Sequence, residues 1–346
     1  MKKYKAAVVI GRFQPVHNAH VEMLRRAAEV SEKVIVIVGS ANKPRSFKNP
    51  WTSDERAVML HEAVFPLWQQ TINTQFFVEH NHDTIYNDQA WAVRIQEIVA
   101  KHTQPDDKVA LFGHKKDPSS FYLNMFPQWD FVEQELIESL SATQIREVYF
   151  TPALCNMNWF RGVVPQTTIM FLSMFVTKPE YQQIVEEKTF LEKYRKQFES
   201  LPYPPIFVTT DAVVFQAGHV LMVRRGADPG KGQWALPGGF VNAGTDRSVL
   251  DAALRELKEE TNIKVPEKVL RGSICETHVF DAVDRSQRGR TITHAFKILL
   301  EEGEWNLPKV KGSDDADDAQ WIPISSLNSV NIYEDHYDII MHFLGK

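Results

Sequence analysis

Residues 11–20 read GRFQPVHNAH and set two histidines, His17 and His20, three positions apart behind a Gly-Arg pair. Imidazoles at that spacing can bind a metal or steady a phosphate. A zinc site takes three or four ligands with oriented partners behind them, and no third ligand stands near this pair. The surroundings favour an anion. Gly11 lets backbone approach a ligand closely, and Arg12 brings a forked cation. Both histidines fall at the start of a predicted helix, whose free N–H groups and dipole attract negative charge.

Residues 236–263, LPGGFVNAGTDRSVLDAALRELKEETNI, hold a second concentration of chemistry. Leu250, Ala253, Leu254 and Leu257 recur at helical spacing and make one buried stripe. Glu256, Glu259 and Glu260 gather on an adjoining face, where three carboxylates about a turn apart repel one another. A divalent cation held by oxygen ligands turns that repulsion into a binding site; a solvated charge run is the plainer alternative. Arg255 stands four residues before Glu259 and can orient it, and Gly238-Gly239 permits tight backbone packing.

The elements that must carry these residues differ between the two halves. KAAVVI (5–10) and KVIVIVGS (33–40) are continuous apolar runs that read as buried strands. TQFFVEH (74–80), DKVALFGH (107–114) and WDFVEQE (129–135) read as further strands, with helices over 18–30 and near 87–102. Buried strands alternating with amphipathic helices predict an α/β fold with a parallel, Rossmann-like sheet, whose ligands sit at the carboxyl ends of strands. Residues 179–199 are charged and helical in pattern, and the prolines of LPYPPI (201–206) cannot continue a helix. Beyond them TDAVVFQAGHVLMVRR (210–225) reads as two strands joined by a Gln-Ala-Gly turn, followed by a helix over 246–261 and a strand over 291–300. This half is expected to be α+β. The expected domains are 1–180 and 206–346, joined by a helical linker over 181–205.

Composition narrows the class. A chain of 346 residues, 43% apolar, is long enough for two filled cores. Its two cysteines, Cys155 and Cys275, lie far apart and argue against a disulfide scaffold. A reducing, cytoplasmic setting is expected. The start MKKYKAAVVIGRF is not a signal peptide, because Gly11 and Arg12 break its apolar run, and no segment is long enough to span a bilayer. A net charge of −5 gives no reason to expect nucleic acid. Small molecules are the expected partners, and a homo-oligomer stays open.

Gly11-Arg12-Phe13-x-Pro15-x-His17-x-x-His20 resembles the signature of the Rossmann-like nucleotidylyltransferase superfamily. Ser141-Ala142-Thr143-Gln144-Ile145-Arg146 is similar to that family's second element, S-x-T-x-x-R. The segments 39–56 and 113–129 resemble the archaeal-type nicotinamide mononucleotide (NMN) adenylyltransferases and their bacterial relatives. The resemblance covers about residues 5–170. It implies transfer of AMP from ATP, a substrate, to NMN with release of pyrophosphate, and Mg²⁺ bridging phosphates. His17, His20 and Arg146 would be the catalytic residues. Gly11, Arg12, Phe13, Gly113, Ser141, Thr143 and Arg146 would contact ATP or NMN. Trp91 is either a stacking surface for nicotinamide or a core aromatic, and Lys116 and Asp117 are either site residues or solvated loop charges. Another phosphate acceptor, phosphopantetheine or a flavin mononucleotide, is a further alternative.

Arg255-Glu256-Leu257-Lys258-Glu259-Glu260, with Gly238 and Gly239 at its head, resembles the Nudix box of metal-dependent diphosphate hydrolases. That resemblance assigns Glu256, Glu259 and Glu260 to Mg²⁺ or Mn²⁺. The stretch 284–296, including Arg288, resembles the segment of Nudix proteins that act on ADP-ribose. AMP and ribose 5-phosphate would be the products. The box departs from its pattern. Its loop is two residues longer, Thr245 and Arg247 stand where glutamates are expected, and Asn262 replaces a late glycine. The absent glutamate would support the box's structure or its metal network, so its loss would lower activity, which with the changes at Thr245, Arg247 and Asn262 motivates an alternative in which this half senses its ligand without cutting it. Glu276 and the run Asp314, Asp315, Asp317 and Asp318 are the acidic candidates for a general base, with a solvated loop as the other reading of the run. The pairing of the two families resembles known fused adenylyltransferase–Nudix proteins.

Overall fold

The computed structural model describes residues 2–70, 74–114, 118–134, 141–301 and 307–345. The chain divides into two compact units, 1–186 and 187–346.

The described residues of the first unit form five strands: β1 (Tyr4–Gly11), β2 (Ser31–Val38), β3 (Gln75–His80), β4 (Val109–Gly113) and β5 (Asp130–Glu133). All pair in parallel, in the order β3-β2-β1-β4-β5. The helices are α1 (Asn18–Val30), α2 (Ser53–Gln70), α3 (Asp88–Ala100), α4 (Ala142–Tyr149) and α5 (Gln166–Phe175). Strand alternation sorts the core into two layers. Ala7 and Val9 of β1 face Leu24, Ala27 and Ala28 of α1 with Leu60 and Val64 of α2. Ala6 and Val8 face Ile95, Ile98 and Val99 of α3. A sheet covered on both faces explains why its strands read as unbroken apolar runs. Strand order reverses beside β1, so β1 and β4 end at the crevice where such sheets bind ligands. Gly11 and Gly113 are their last residues.

Helix α2 had no counterpart in the sequence reading. Its apolar stripe is interrupted by Pro66, and its start is set by Thr52, whose hydroxyl accepts the Glu55 N–H at 3.2 Å while Glu55 accepts the Thr52 N–H at 3.0 Å. That reciprocal cap nucleates the helix despite its weak amphipathic pattern.

Helix α6 (Pro179–Lys196) occupies most of the expected linker. The second unit then holds β6 (Phe207–Gln216), β7 (His219–Arg225), β8 (Trp234–Ala235), β9 (Gly238–Phe240), α7 (Val249–Thr261), α8 (Glu267–Gly272), β10 (Ile274–Phe280), β11 (Thr291–Leu299), β12 (Ala316–Pro323) and α9 (His336–Phe343). The sheet runs β10-β11-β6-β7-β12, with β8 beside β7 and β9 beside β6; among the described residues only β6 and β11 are parallel. The turn between β6 and β7 puts Ala217 at φ 46° and Gly218 at φ 73°, the positive-φ pair that two-residue hairpins need. Leu254 and Leu257 of α7 pack on Ala212, Val214, Leu221 and Ile298, so the stripe read from sequence is the face that anchors the helix. Among the described residues no helix is long and apolar enough to cross a membrane.

Candidate active sites

In the first unit, the loop after β1 delivers His17 to the N-cap of α1. The His17 N–H donates to His20 Nδ1 at 3.2 Å, and the two rings stack 3.6 Å apart at 20°. A ring whose Nδ1 accepts carries its proton on Nε2. Burial, with His17 and His114 nearby, pushes the His20 imidazole well below its ordinary value. His20 is therefore a neutral hydrogen-bond donor rather than a cation. Phe13 is 1% exposed at φ 53°, with its ring edge-on to His20 at 4.8 Å. A Cβ on Gly11 would come within 3.0 Å of that ring. Gly11 thus makes room for Phe13, and Phe13 supports His20 from within the core.

Positive charge collects beside the histidines. Arg146, 4% exposed, donates from one terminal nitrogen to the Gln14 carbonyl at 2.8 Å and from the other to Thr143 Oγ1 at 3.2 Å; among the described residues its Nε has no partner. Ser141 caps α4, accepting the Gln144 N–H at 3.2 Å. A residue that the sequence reading did not single out, Arg56, is 1% exposed. It donates to the carbonyls of Arg12 at 2.6 Å, Gly39 at 2.7 Å, Ser40 at 3.1 Å and Thr52 at 3.2 Å. Burial pulls both Arg56 and Arg146 down to about 10, Arg12 adding repulsion in each case. Among the described residues neither has a carboxylate in ion-pair range. Buried cations without acids are costly unless an anion arrives. The only hint of Arg56 in the sequence was its place inside the 39–56 segment.

Other candidates are packed against neighbouring side chains. Trp91 is half-buried, packed on Tyr122 at 5.8 Å and Phe126 at 6.0 Å. A Cβ on Gly113 would meet Leu123 at 2.8 Å, so that glycine admits a neighbouring side chain. Lys116 and Asp117 lie outside the described residues.

In the second unit β9 passes over α7 at very close range. A Cβ on Gly239 would lie 2.6 Å from the Glu256 carboxylate, and one on Gly238 would lie 2.8 Å from Asp211 Oδ1. Only glycines allow this approach. The Gly238 N–H donates to Glu260 at 2.9 Å. Arg255 bonds Glu256 at 2.8 Å and Glu259 at 2.9 Å, which ties two of the three carboxylates to one guanidinium. Burial pushes Glu260 up to about 8 against the pull of the Gly238 N–H, and Glu256 adds to the rise. Burial raises Glu256 as well. No three acidic, histidine or cysteine side chains converge as ligands among the described residues. The donor set nevertheless fits a divalent cation: hard oxygens, two of them on half-buried carboxylates, Glu256 and Glu260, whose ionisation the protein alone opposes.

The irregular box is repaired by a residue that the sequence reading passed over. Asp246, between Thr245 and Arg247, receives Arg255 Nε at 2.9 Å and a terminal nitrogen at 2.8 Å. Its side chain is 4% exposed, and the Arg255 hydrogen bonds hold its carboxyl down at about 2. Asn262 adopts φ 47° at the end of α7 and donates to Ser313 Oγ at 2.7 Å, so it does the late glycine's backbone work.

A cavity of about 380 Å³ opens here, lined by Arg255, Glu256, Glu259, Glu260, Gly238, Gly239, Arg225, Arg288 and Tyr333 among others. Arg288 lies 4.7 Å over the Phe240 ring and Arg225 lies 4.2 Å over Tyr333. Of the acidic candidates for a base, Asp314 and Asp315 line the cavity. Asp318 accepts the Ala319 N–H at 2.8 Å, and Glu276 pairs with Lys297 at 3.4 Å. A buried ion pair, Arg285–Asp335 at 2.8 and 2.9 Å, braces one wall, and Leu236 N–H donates to His336 Nδ1 at 2.8 Å. No local sequence pattern marks residues 333–336, because their partners lie far away in the chain.

Fold and site together define a chain with two phosphate-handling units, a Rossmann-like one that presents cations and a Nudix one that presents carboxylates. The model for a cytidylyltransferase-like domain matches residues 8–148, and the model for a NUDIX domain matches residues 205–343. The chain is 36% identical over 201 residues to the nicotinamide/nicotinic acid mononucleotide adenylyltransferase of Acinetobacter baylyi, covering 58% of this chain and 98% of that one. It is 32% identical over 164 residues to the ADP-ribose pyrophosphatase of Methanocaldococcus jannaschii, covering 47% and 85%. A crystal structure of a bifunctional NMN adenylyltransferase/ADP ribose pyrophosphatase from Francisella tularensis matches with a TM-score of 0.89 at 33% identity over 99% of both chains. A structure of such a protein from the same organism, complexed with AMP and Mn ion, gives 0.87 at 32% identity over 99% of both. The chain belongs to the bifunctional NMN adenylyltransferase/ADP-ribose pyrophosphatase family.

Proposed function

We propose that the chain performs both reactions of its family: formation of NAD and pyrophosphate from NMN and ATP, and hydrolysis of ADP-ribose to AMP and ribose 5-phosphate. One observation carries the pairing. Each unit places groups where burial disfavours their charged form, Arg56 and Arg146 in the first and Glu260 in the second, and the signs of those charged forms are the ones that a polyphosphate and a divalent cation would stabilise.

In the first unit the NMN 5′-phosphate attacks the α-phosphorus of ATP in line, and the bond to pyrophosphate breaks. No covalent enzyme intermediate is needed, so positioning and charge carry the catalysis. His20 donates Nε2–H to a phosphate oxygen at the positive end of the α1 dipole. Arg12 and Arg146 clamp the leaving pyrophosphate, while Arg56 fixes the carbonyls of the loops around it. In the second unit Glu256, Glu259 and Glu260 would hold Mg²⁺ or Mn²⁺. Such an ion, when bound, would supply Lewis-acid charge to the diphosphate and activate water. Arg255, anchored by Asp246, orients Glu256 and Glu259. With Asp246 in that position the altered box keeps its arginine anchored, and the non-catalytic reading loses its motive.

The test is product analysis of ADP-ribose incubated with pure protein and Mg²⁺ or Mn²⁺, beside NMN plus ATP. AMP and ribose 5-phosphate from wild type but not from Glu260→Gln support the hydrolase. No cleavage with either metal rejects it and leaves one enzyme in the chain.

A further inference from the structure

The short segment that carries Gly238 and Gly239 is held in place by a histidine far outside the box. Strand β8 ends at Ala235, and the next backbone N–H, that of Leu236, donates to His336 Nδ1 at 2.8 Å. A ring whose Nδ1 accepts carries its proton on Nε2, and His336 Nε2 lies 3.9 Å from Asp211 Oδ1. Burial pulls this imidazole below its ordinary value against Asp211 and Asp335, so the ring is neutral in this role. Asp211 stands on β6 opposite Gly238, and its other oxygen accepts the Thr293 hydroxyl at 2.6 Å. The Ala212 N–H donates to the Pro237 carbonyl at 2.8 Å. Residues 236–238 are thus fixed by His336 at Leu236 and by β6 at Pro237. Their fit leaves no slack, because a Cβ on Gly238 would run into the Thr210 carbonyl. Two residues beyond Leu236, the Gly238 N–H meets Glu260 at 2.9 Å. His336 is itself 8% exposed and opens α9 directly after Asp335, which Arg285 pins with two hydrogen bonds. An apolar side chain would fill this space equally well. A ring with an acceptor on one edge and a donor on the other, backed by a buried ion pair, fixes where the segment lies.

We propose that His336 is a positioning residue of the hydrolase: it sets the place of residues 236–238 over α7 and, through the Gly238 N–H, the orientation of the Glu260 carboxylate toward the cation. This rests on the hydrolase reading given above. His336 acts through Leu236 and Gly238, as the groups behind a metal's ligands do when they fix how those ligands point; losing one such group weakens metal binding about 10–100-fold.

The test is a calorimetric titration of the full chain with Mn²⁺ and no substrate, for wild type, His336→Leu and His336→Asn. Leucine keeps bulk and accepts nothing, whereas asparagine keeps an acceptor near the place of Nδ1. The leucine variant should bind Mn²⁺ on the order of tenfold more weakly than wild type, and the asparagine variant should recover most of that loss. At saturating Mn²⁺ the KM for ADP-ribose should hold in both, as should NAD formation. Wild-type Mn²⁺ affinity in the leucine variant overturns the proposal. So does an asparagine variant as weak as the leucine one, which would mean that the ring only fills space. Should the leucine variant not fold, His336→Gln replaces it, since its amide reaches toward Asp211 and leaves Leu236 without an acceptor. It should show the same weakening, and wild-type affinity there overturns the proposal equally. Wild type that binds Mn²⁺ yet leaves ADP-ribose intact overturns the hydrolase reading alone, and the titrations of the variants still decide the role of His336.

Discussion

Glu260 makes the cation requirement measurable without any turnover. Its carboxyl is pushed from an ordinary 4.5 to about 8, first by burial and then by Glu256 and Asp211, with the Gly238 N–H opposing. The folded chain therefore holds a proton that the unfolded chain has released, and between about pH 4.5 and pH 8 stability falls as pH rises. A rise of that size corresponds to a folded-state cost of about 5 kcal/mol once the group ionises. For a unit of this size that is roughly 10–20 °C in melting temperature. Glu260→Gln removes the ionisation and keeps an oxygen to accept the Gly238 N–H.

The assay is a set of thermal melts of the full chain in EDTA from about pH 5 to pH 9. Wild type should lose stability across that range while Glu260→Gln loses much less. Mn²⁺ at about 100 times its Kd should restore about 2.7 kcal/mol to wild type and little to the variant. Parallel curves for the two proteins in EDTA would refute the account of Glu260 as a buried carboxylate awaiting a cation. So would equal stabilisation of both proteins by Mn²⁺.

Three further outcomes are expected. His20→Ala should slow NAD formation on the order of 10²–10³-fold with ADP-ribose hydrolysis within about twofold of wild type; steady-state rates of both reactions check it, and equal loss in both would contradict separate sites. Asp246→Ala should cost about 2 kcal/mol in a denaturant titration, since charged hydrogen bonds are lost, and should lower hydrolysis at least about tenfold by freeing Arg255. An active, equally stable variant would show that Asp246 does not stand in for the box glutamate. Arg56→Lys should fail to restore what Arg56→Met loses in kcat/KM for ATP and NMN, because one ammonium cannot span four carbonyls as a guanidinium does; full activity of the lysine variant would reduce Arg56 to a charge.

What could be read from the sequence followed from how locally each feature is encoded. The 11–20 stretch packs strand end, turn and helix start into ten residues, and α7 places its stripe and its glutamates within four turns, so periodicity and type expose both. The buried strands β1 and β2 declare themselves because two covered faces leave no polar alternation. Helix α2 escaped because Pro66 breaks its pattern, and the Arg285–Asp335 brace because its members are 50 residues apart. Phe13 and Gly11 were legible as a pair but not in their roles, since only packing reveals that the glycine serves the ring. Asp246 shows the limit most sharply. Spacing asks for a glutamate separated from Arg255 by seven residues, and that position holds Arg247. What the site physically needs is two carboxylate oxygens in the plane of a guanidinium. A shorter acid nine residues back, on a loop two residues longer, supplies them at 2.9 and 2.8 Å.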